Sequence, residues 1–167
     1  MPIRLGCVLL FVVAGCRSAS DHQIDSLADA GITVKQSSAG EVFWVDTAGA
    51  DLDGHFWQSL GKFEQLEQLA LTGSPVSDAD LPELTSLRML HSLDLSYTRV
   101  TPSGLNVLSR VEHLRTLSLN GVPLDDRAVE PLCRLTGLRS LSLMECELSS
   151  EAVEKIQKVL SGCLVVP

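Results

Sequence analysis

Apolar residues recur along this chain at a fixed interval. Leu66, Leu90, Leu114 and Leu138 are spaced by 24 residues, as are Leu69, Leu93, Leu117 and Leu141, and again Leu71, Leu95, Leu119 and Leu143. The second half of each unit keeps step in four further columns: Val76, Val100, Leu124, Leu148; Leu81, Leu105, Val129, Val153; Leu84, Leu108, Leu132, Ile156; and Leu87, Val111, Leu135, Val159. Self-similarity at a period of about 20 to 50 residues is the mark of stacked repeats. A degenerate unit precedes these, with Val42, Val45, Thr47, Leu52, Trp57, Leu60 and Phe63 in the same columns. One step past the last unit puts Val165 in a strand column, so residues 162–167 are expected to open a partial strand.

Within each unit, Leu-x-Leu has the alternation of a strand, with two leucines on one side. After a turn, apolar residues recur three apart, the spacing of one helical face. Ser77, Thr101, Asp125 and Ser149 stand just before these segments, where a side-chain oxygen can accept a free backbone N–H. Pro102 falls where a first helical residue is expected, and its missing N–H costs nothing there. One strand and one helix per unit, connected right-handedly, predict an α/β solenoid. Ahead of it, residues 21–30 read as a short helix with Ile24, Leu27 and Ala28 inward, ended by Gly31. Ile32 to Val34 alternates as a strand, and residues 37–40 are turn-like. The expected organisation is a helix-and-hairpin cap over residues 21–41 and five repeats over residues 42–161.

The unit LHSLDLSYTRVTPSGLNVL, Leu90 to Leu108, resembles the bacterial leucine-rich repeats of the form LxxLxLxxTxVTDxGLxxLxxL. The resemblance covers roughly residues 42–167. It implies a horseshoe segment similar to ribonuclease-inhibitor-like proteins, with a parallel sheet on the concave face and helices on the convex side. It also implies a role in binding another protein through the concave face.

The first residues do not fit the repeat. Arg4 precedes an apolar stretch, Leu5 to Val13, too short to span a bilayer. Val13-Ala14-Gly15-Cys16 then resembles the lipobox of bacterial lipoprotein signals, in which the cysteine is lipid-modified and becomes the first mature residue. That resemblance implies a signal peptide over residues 1–15, lipidation at Cys16, a short tether over 16–20 and a lipid-anchored place in the cell envelope. An ordinary cleaved secretory signal with Cys16 incidental is the other reading.

Composition adds two points. Hydrophobic residues make up 45% of the chain but aromatic ones only 4%, so the core must be aliphatic. The net charge is -8 with no Lys/Arg block, which argues against nucleic acid, since phosphate binding needs a concentrated basic face.

The x positions of LxxLxLxx define the outward face of the sheet. Its central columns read Trp44, Gln68, Ser92, Thr116, Ser140 and Asp46, Ala70, Asp94, Ser118, Ser142; the next reads Ala48, Thr72, Ser96, Asn120, Met144. Asp46 and Asp94 are the carboxylates of the central columns, ~10 Å apart at normal strand spacing. That is near the outer limit for an inverting glycosidase pair, but Ala70 lies between them, and solvated surface carboxylates are the expected reading. His91, Arg115 and Arg139 stack in one edge column; they could engage a carboxylate or phosphate, or pair with loop acids such as Glu112. The four histidines fall at unrelated repeat positions, and no metal-ligand spacing or Gly-rich phosphate loop occurs; no metal or cofactor is expected. Trp44 points to the concave surface, either as a binding anchor or covered by the cap, with Tyr97 on the same face. Trp57 and Phe63 are expected to seal the core against the cap. Cys146 falls in a buried turn column with Ser74, Thr98 and Val122, and no two of Cys133, Cys146 and Cys163 are side by side, so three free thiols are expected.

The candidate contact surface is therefore Trp44, Asp46, Gln68, Asp94, Tyr97, Arg115 and Arg139. The function expected is a non-catalytic protein-interaction module anchored in the bacterial envelope. A structural or accessory envelope lipoprotein is the alternative, and a hydrolase using Asp46 or Asp94 a remote one.

Overall fold

The computed structural model describes residues 24–167 apart from residues 26 and 48; the leader, Cys16, the tether and His22 lie outside the described residues. Seven strands form one open sheet in chain order: β1 (Thr33–Gln36), β2 (Val42–Asp46), β3 (Gln68–Ala70), β4 (Ser92–Asp94), β5 (Thr116–Ser118), β6 (Ser140–Ser142) and β7 (Leu164–Val166). β1 runs antiparallel to β2, and every later neighbour is parallel. The register is the repeat itself, with Leu69 opposite Leu93, Leu93 opposite Leu117, and Leu117 opposite Leu141. These central leucines and the Leu71, Leu95, Leu119 and Leu143 column are buried. Stacking therefore gives each repeat an apolar neighbour on both sides, which no single repeat could supply.

At the N-terminal end, residues 24, 25 and 27–29 are helical. Leu27 and Ile32 are buried and Ile24 half-buried, but Ala28 is exposed, contrary to the expected inward face. The chain reverses at Gly31 (φ +80), where Gly31 N–H donates to the Ala28 carbonyl and Ile32 N–H to the Leu27 carbonyl. Ile32, tied back to the Leu27 carbonyl, thus fills the inward place that Ala28 leaves.

The connecting segments are more varied than the constant columns suggest. Helix α1 (Gly54–Leu60) is capped by Asp53, whose Oδ1 accepts from His55 N and Phe56 N. The second repeat has a 3₁₀ helix, Leu81–Ser86, in place of an α-helix. There the Thr85 and Ser86 hydroxyls donate to the Pro82 and Glu83 carbonyls, competing with a longer α-helical ladder. The third has only α2 (Leu105–Leu108), and the fourth a 3₁₀ turn, Asp126–Ala128, running into α3 (Val129–Cys133). The fifth has the full helix α4 (Ser150–Val159). Of the expected caps, Asp125 accepts from Arg127 N and Ser149 from Ala152 N. Ser77 instead donates to Asp80; Thr101 Oγ1 accepts from Ser103 N at 3.3 Å as expected, but a turn and not a helix follows it, so Pro102 is not a first helical residue.

Helix length decides which side chains turn inward. Val159 is 49% exposed although its column is apolar, and Leu160 is buried in its place. In the short segments the chain leaves the helix before its last column, whereas α4 continues for ten residues. The residue four past buried Ile156 then returns to the same face. For the same reason Phe56, not Trp57, enters the core of the first repeat; Trp57 is half-buried with its ring 5.0 Å from that of Phe56, edge to face. Phe63 is buried as expected. Where the first repeat has Thr47 instead of leucine, its hydroxyl meets the buried Ser74 hydroxyl at 2.6 Å and the Ala70 carbonyl at 3.3 Å.

Candidate binding surface

The outer face of the sheet is built mostly from short polar side chains because each parallel strand turns its central leucine or valine inward and its two neighbours outward. On six parallel rungs this aligns Trp44, Gln68, Ser92, Thr116, Ser140 and Leu164 in one column, and Asp46, Ala70, Asp94, Ser118, Ser142 and Val166 in the next. All are half-buried except Leu164 and Val166, which are exposed. Trp44 lies beneath the cap: Lys35 of β1 sits beside it with Nζ 3.9 Å from the ring centroid. Much of the tryptophan's surface is thereby committed inside the chain. Gln68 stands on the next rung.

Asp46 and Asp94 are separated by the whole of strand β3. Asp94 Oδ1 accepts the backbone N–H of Ser96 at 2.8 Å, so this carboxylate shapes the turn after its own strand. The same turn region carries a feature the column pattern did not announce. Asn120 Oδ1 accepts from Ser142 Oγ at 2.6 Å and from Met144 N at 3.0 Å, stitching the fourth repeat to the fifth.

Tyr97 is not on β4 but three residues beyond it, at the rim of the face. Its position in the repeat is otherwise held by Gly49, Gly73 and Gly121, all with positive φ, and by Glu145. Tyr97 (φ 57) and Glu145 (φ 61) keep the left-handed backbone without glycine's freedom, a conformation that costs an L-residue about 1–2 kcal/mol. Tyr97 is 53% exposed and its hydroxyl donates to Glu145 Oε2 at 3.2 Å. The ring reaches across Gly121, where a Cβ would collide with it. The hydrogen bond to Glu145 and its negative charge push the phenol pKa above that of an ordinary tyrosine. The sequence contained the signal: a glycine column interrupted twice.

Arg115 and Arg139 each precede a strand by one residue, at the opposite rim. The backbone ladder holds His91, Arg115 and Arg139 on successive rungs, with Arg115 N–H donating to the His91 carbonyl and Arg139 N–H to the Arg115 carbonyl, each at 2.8 Å. Arg115 does not pair with the Glu112 carboxylate. Its Nη1 donates to the Leu114 and Glu112 backbone carbonyls at 2.8 and 3.3 Å, and Gly137 leaves room for it.

Two aspartates lock repeats together at the rim that carries Tyr97. Asp78 accepts from the backbone N–H and hydroxyl of Thr101, and Asp126 does the same for Ser149. Cys133, Cys146 and Cys163 are free thiols, each with its pKa raised by burial, and Cys146 Sγ donates to the Leu119 carbonyl.

A family profile described as leucine-rich repeat matches residues 86–109. A sequence search of curated proteins returns no match. Among solved structures, the chain is similar to the actin-binding site 2 domain of leiomodin-1, at TM-score 0.57 and 14% identity over 88% of this chain and 90% of that one. It is also similar to a leucine-rich-repeat protein of Leptospira interrogans, at TM-score 0.48 and 22% identity over 64% of this chain, spanning 26% of that protein. An internalin from Listeria monocytogenes follows at TM-score 0.46 and 18% identity, over 65% of this chain and 36% of that one. The matched repeat and the parallel sheet with one strand per repeat together make this a leucine-rich-repeat fold.

Proposed function

We propose that this chain is a non-catalytic protein-interaction module, held in the bacterial cell envelope by a lipid on Cys16, and that it contacts its partner through the open sheet face and its rims. The observation that carries the reading is Tyr97: a half-exposed aromatic ring kept in a left-handed backbone and held by Glu145. Local strain of this kind persists where the surrounding structure over-determines it and clusters at functional sites. Tyrosine is, with tryptophan and arginine, enriched among the side chains that anchor protein interfaces. The fold gives general support, since the leiomodin-1 domain with this architecture is an actin-binding site; fold alone does not choose a partner.

Two measurements test the reading. Intact mass and membrane partitioning of the chain expressed with its own leader, beside Cys16→Ser, report the anchor. Acylated, membrane-bound wild type and unmodified, soluble variant are expected; two soluble, unmodified proteins would remove the envelope assignment. A photo-crosslinking residue placed at position 97 in living cells should give a discrete adduct that the same residue at exposed Gln157 on α4 does not. Identical patterns from both positions would remove the face from consideration.

A further inference from the structure

Charge is distributed unevenly across this solenoid, although Arg99 and Arg127 stand among the acids and Glu67 and Glu112 among the bases. Where strands end and helical segments begin stand Asp53, Asp78, Asp125, Asp126, Glu147 and Glu151; where those segments end and the next strands begin stand Arg88, Arg110, Arg115, Arg134, Arg139 and Lys158. Part of this sorting follows from the chain's own needs, because acids favour helix starts and bases helix ends. The arginines at the strand starts are not explained that way. Arg115 and Arg139 sit on the sheet ladder, on successive rungs spaced ~4.8 Å apart. Neither is in an ion pair: among the described residues the ion pairs are Arg127 with Asp125 and Arg134 with Glu130.

We propose that this basic edge receives a carboxylate-bearing extended segment of a partner protein, with Arg115 and Arg139 as its anchoring guanidinium groups. The inference deepens the functional reading above and rests on it in one respect, that the chain works by protein contact. Arg115 is prepared for the role. Its Nη1 is fixed to the Leu114 and Glu112 carbonyls over Gly137, while the other nitrogens of its fork make no hydrogen bond among the described residues. A guanidinium held along one edge loses little freedom when the other edge closes on a carboxylate. Arg139, exposed on the next rung, extends the strip, and the half-buried hydroxyl residues Thr116 and Ser140 border it on the sheet side.

The shape of the strip selects the partner. It is one residue wide, and the edge column reaches Glu67 on the far side of His91. A broad anionic plane, such as a phospholipid surface, would have to meet those acids and a chain of net charge -8. A narrow acidic strand meets only the strip, and the acidic rim beyond it is screened over about 8 Å at physiological salt.

The test is a titration of a fluorescent hexaglutamate peptide into the full chain, read by anisotropy at low and at physiological salt. Saturable binding is expected, weakened by salt, and reduced about tenfold or more in Arg115→Glu/Arg139→Glu, the worth of one charge-assisted hydrogen-bonded pair. Arg115→Lys/Arg139→Lys, which keeps charge and foldability but loses the fork, should fall between the two. Arg127→Glu, at the opposite rim, should bind like wild type. Absence of binding by wild type, or undiminished binding by the double glutamate variant with an unchanged circular-dichroism melt, overturns the proposal. So does a preference for anionic phospholipid vesicles or inorganic polyphosphate through the same arginines. Failure here with the position-97 adduct intact removes the arginine strip and leaves the interaction reading; loss of both removes both.

Discussion

Replacing Thr47 with valine keeps the shape of the side chain and deletes one hydroxyl, which makes it a clean probe of the buried polar contact between the first two repeats. Thr47 and Ser74 are essentially inaccessible, with their hydroxyl oxygens 2.6 Å apart. Thr47 Oγ1 also lies 3.3 Å from the Ala70 carbonyl. One assignment satisfies both groups: Thr47 donates to the carbonyl and Ser74 donates to Thr47. It follows that the two substitutions are unequal. Thr47→Val leaves the Ser74 hydroxyl buried without a partner, a loss of about 1–3 kcal/mol. Ser74→Ala leaves Thr47 still bound to Ala70 and removes one ordinary hydrogen bond, about 0.5–1.5 kcal/mol. The double variant leaves no orphan, and it approaches the apolar arrangement the chain already has where Leu95 of the third repeat meets Val122 of the fourth, both buried. It should therefore lose less than the sum of the singles. Urea unfolding followed by circular dichroism reads this directly. With a denaturant slope of roughly 2 kcal/mol/M, a loss of 2 kcal/mol moves the midpoint by about 1 M. Strict additivity, or a larger effect from Ser74→Ala, would refute the assignment of donors.

Two further outcomes follow from the packing and the turns. Val159→Ser should change stability by no more than about 0.5 kcal/mol, as for a surface position. Leu160→Ala should lose about 2–5 kcal/mol, and the reverse order in urea unfolding would show that α4 ends earlier. Gly73→Ala and Gly121→Ala both place a Cβ at positive φ, costing about 1 kcal/mol, but only Gly121→Ala must displace the Tyr97 ring. Because Tyr97 is the chain's one tyrosine, an ultraviolet absorbance titration reads its phenol alone. Its raised pKa should fall toward the ordinary tyrosine value in Gly121→Ala and stay in Gly73→Ala; an unchanged titration in both would separate the ring from Gly121.

The strand register was legible because a parallel stack enforces one rule: each leucine sits on the leucine a repeat earlier. Leu69, Leu93, Leu117 and Leu141 obey it without a slip. The helical side was not legible to the same degree. An apolar triplet three residues apart suits a 3₁₀ turn and an α-helix equally, so the pattern that placed Leu84 and Ile156 correctly misplaced Val159. Competition by the Thr85 and Ser86 hydroxyls, and the uninterrupted run of α4, made the difference. On the binding face, the arginine column was visible as a column. Its freedom from Glu112 was not, because side-chain reach depends on the small residue at Gly137. Tyr97 was legible as a residue of the face, and its strain was legible too, since a large residue in a glycine column marks it by itself.

The aspartate locks have a consequence for how such an array can be lengthened or shortened. Asp78 and Asp126 belong to the second and fourth repeats, and their acceptor contacts reach Thr101 and Ser149 in the third and fifth. From the second repeat onward the same alternation appears elsewhere: Gly73 and Pro75 match Gly121 and Pro123, whereas Tyr97 and Glu145 are the non-glycine members of that column. Along the sheet the unit of repetition is one strand, but along this rim it is a pair. A spliced array that gains or drops two repeats preserves every aspartate with its hydroxyl. One that gains or drops a single repeat between the halves of a lock parts a carboxylate from its hydroxyl, so the array is best engineered two repeats at a time.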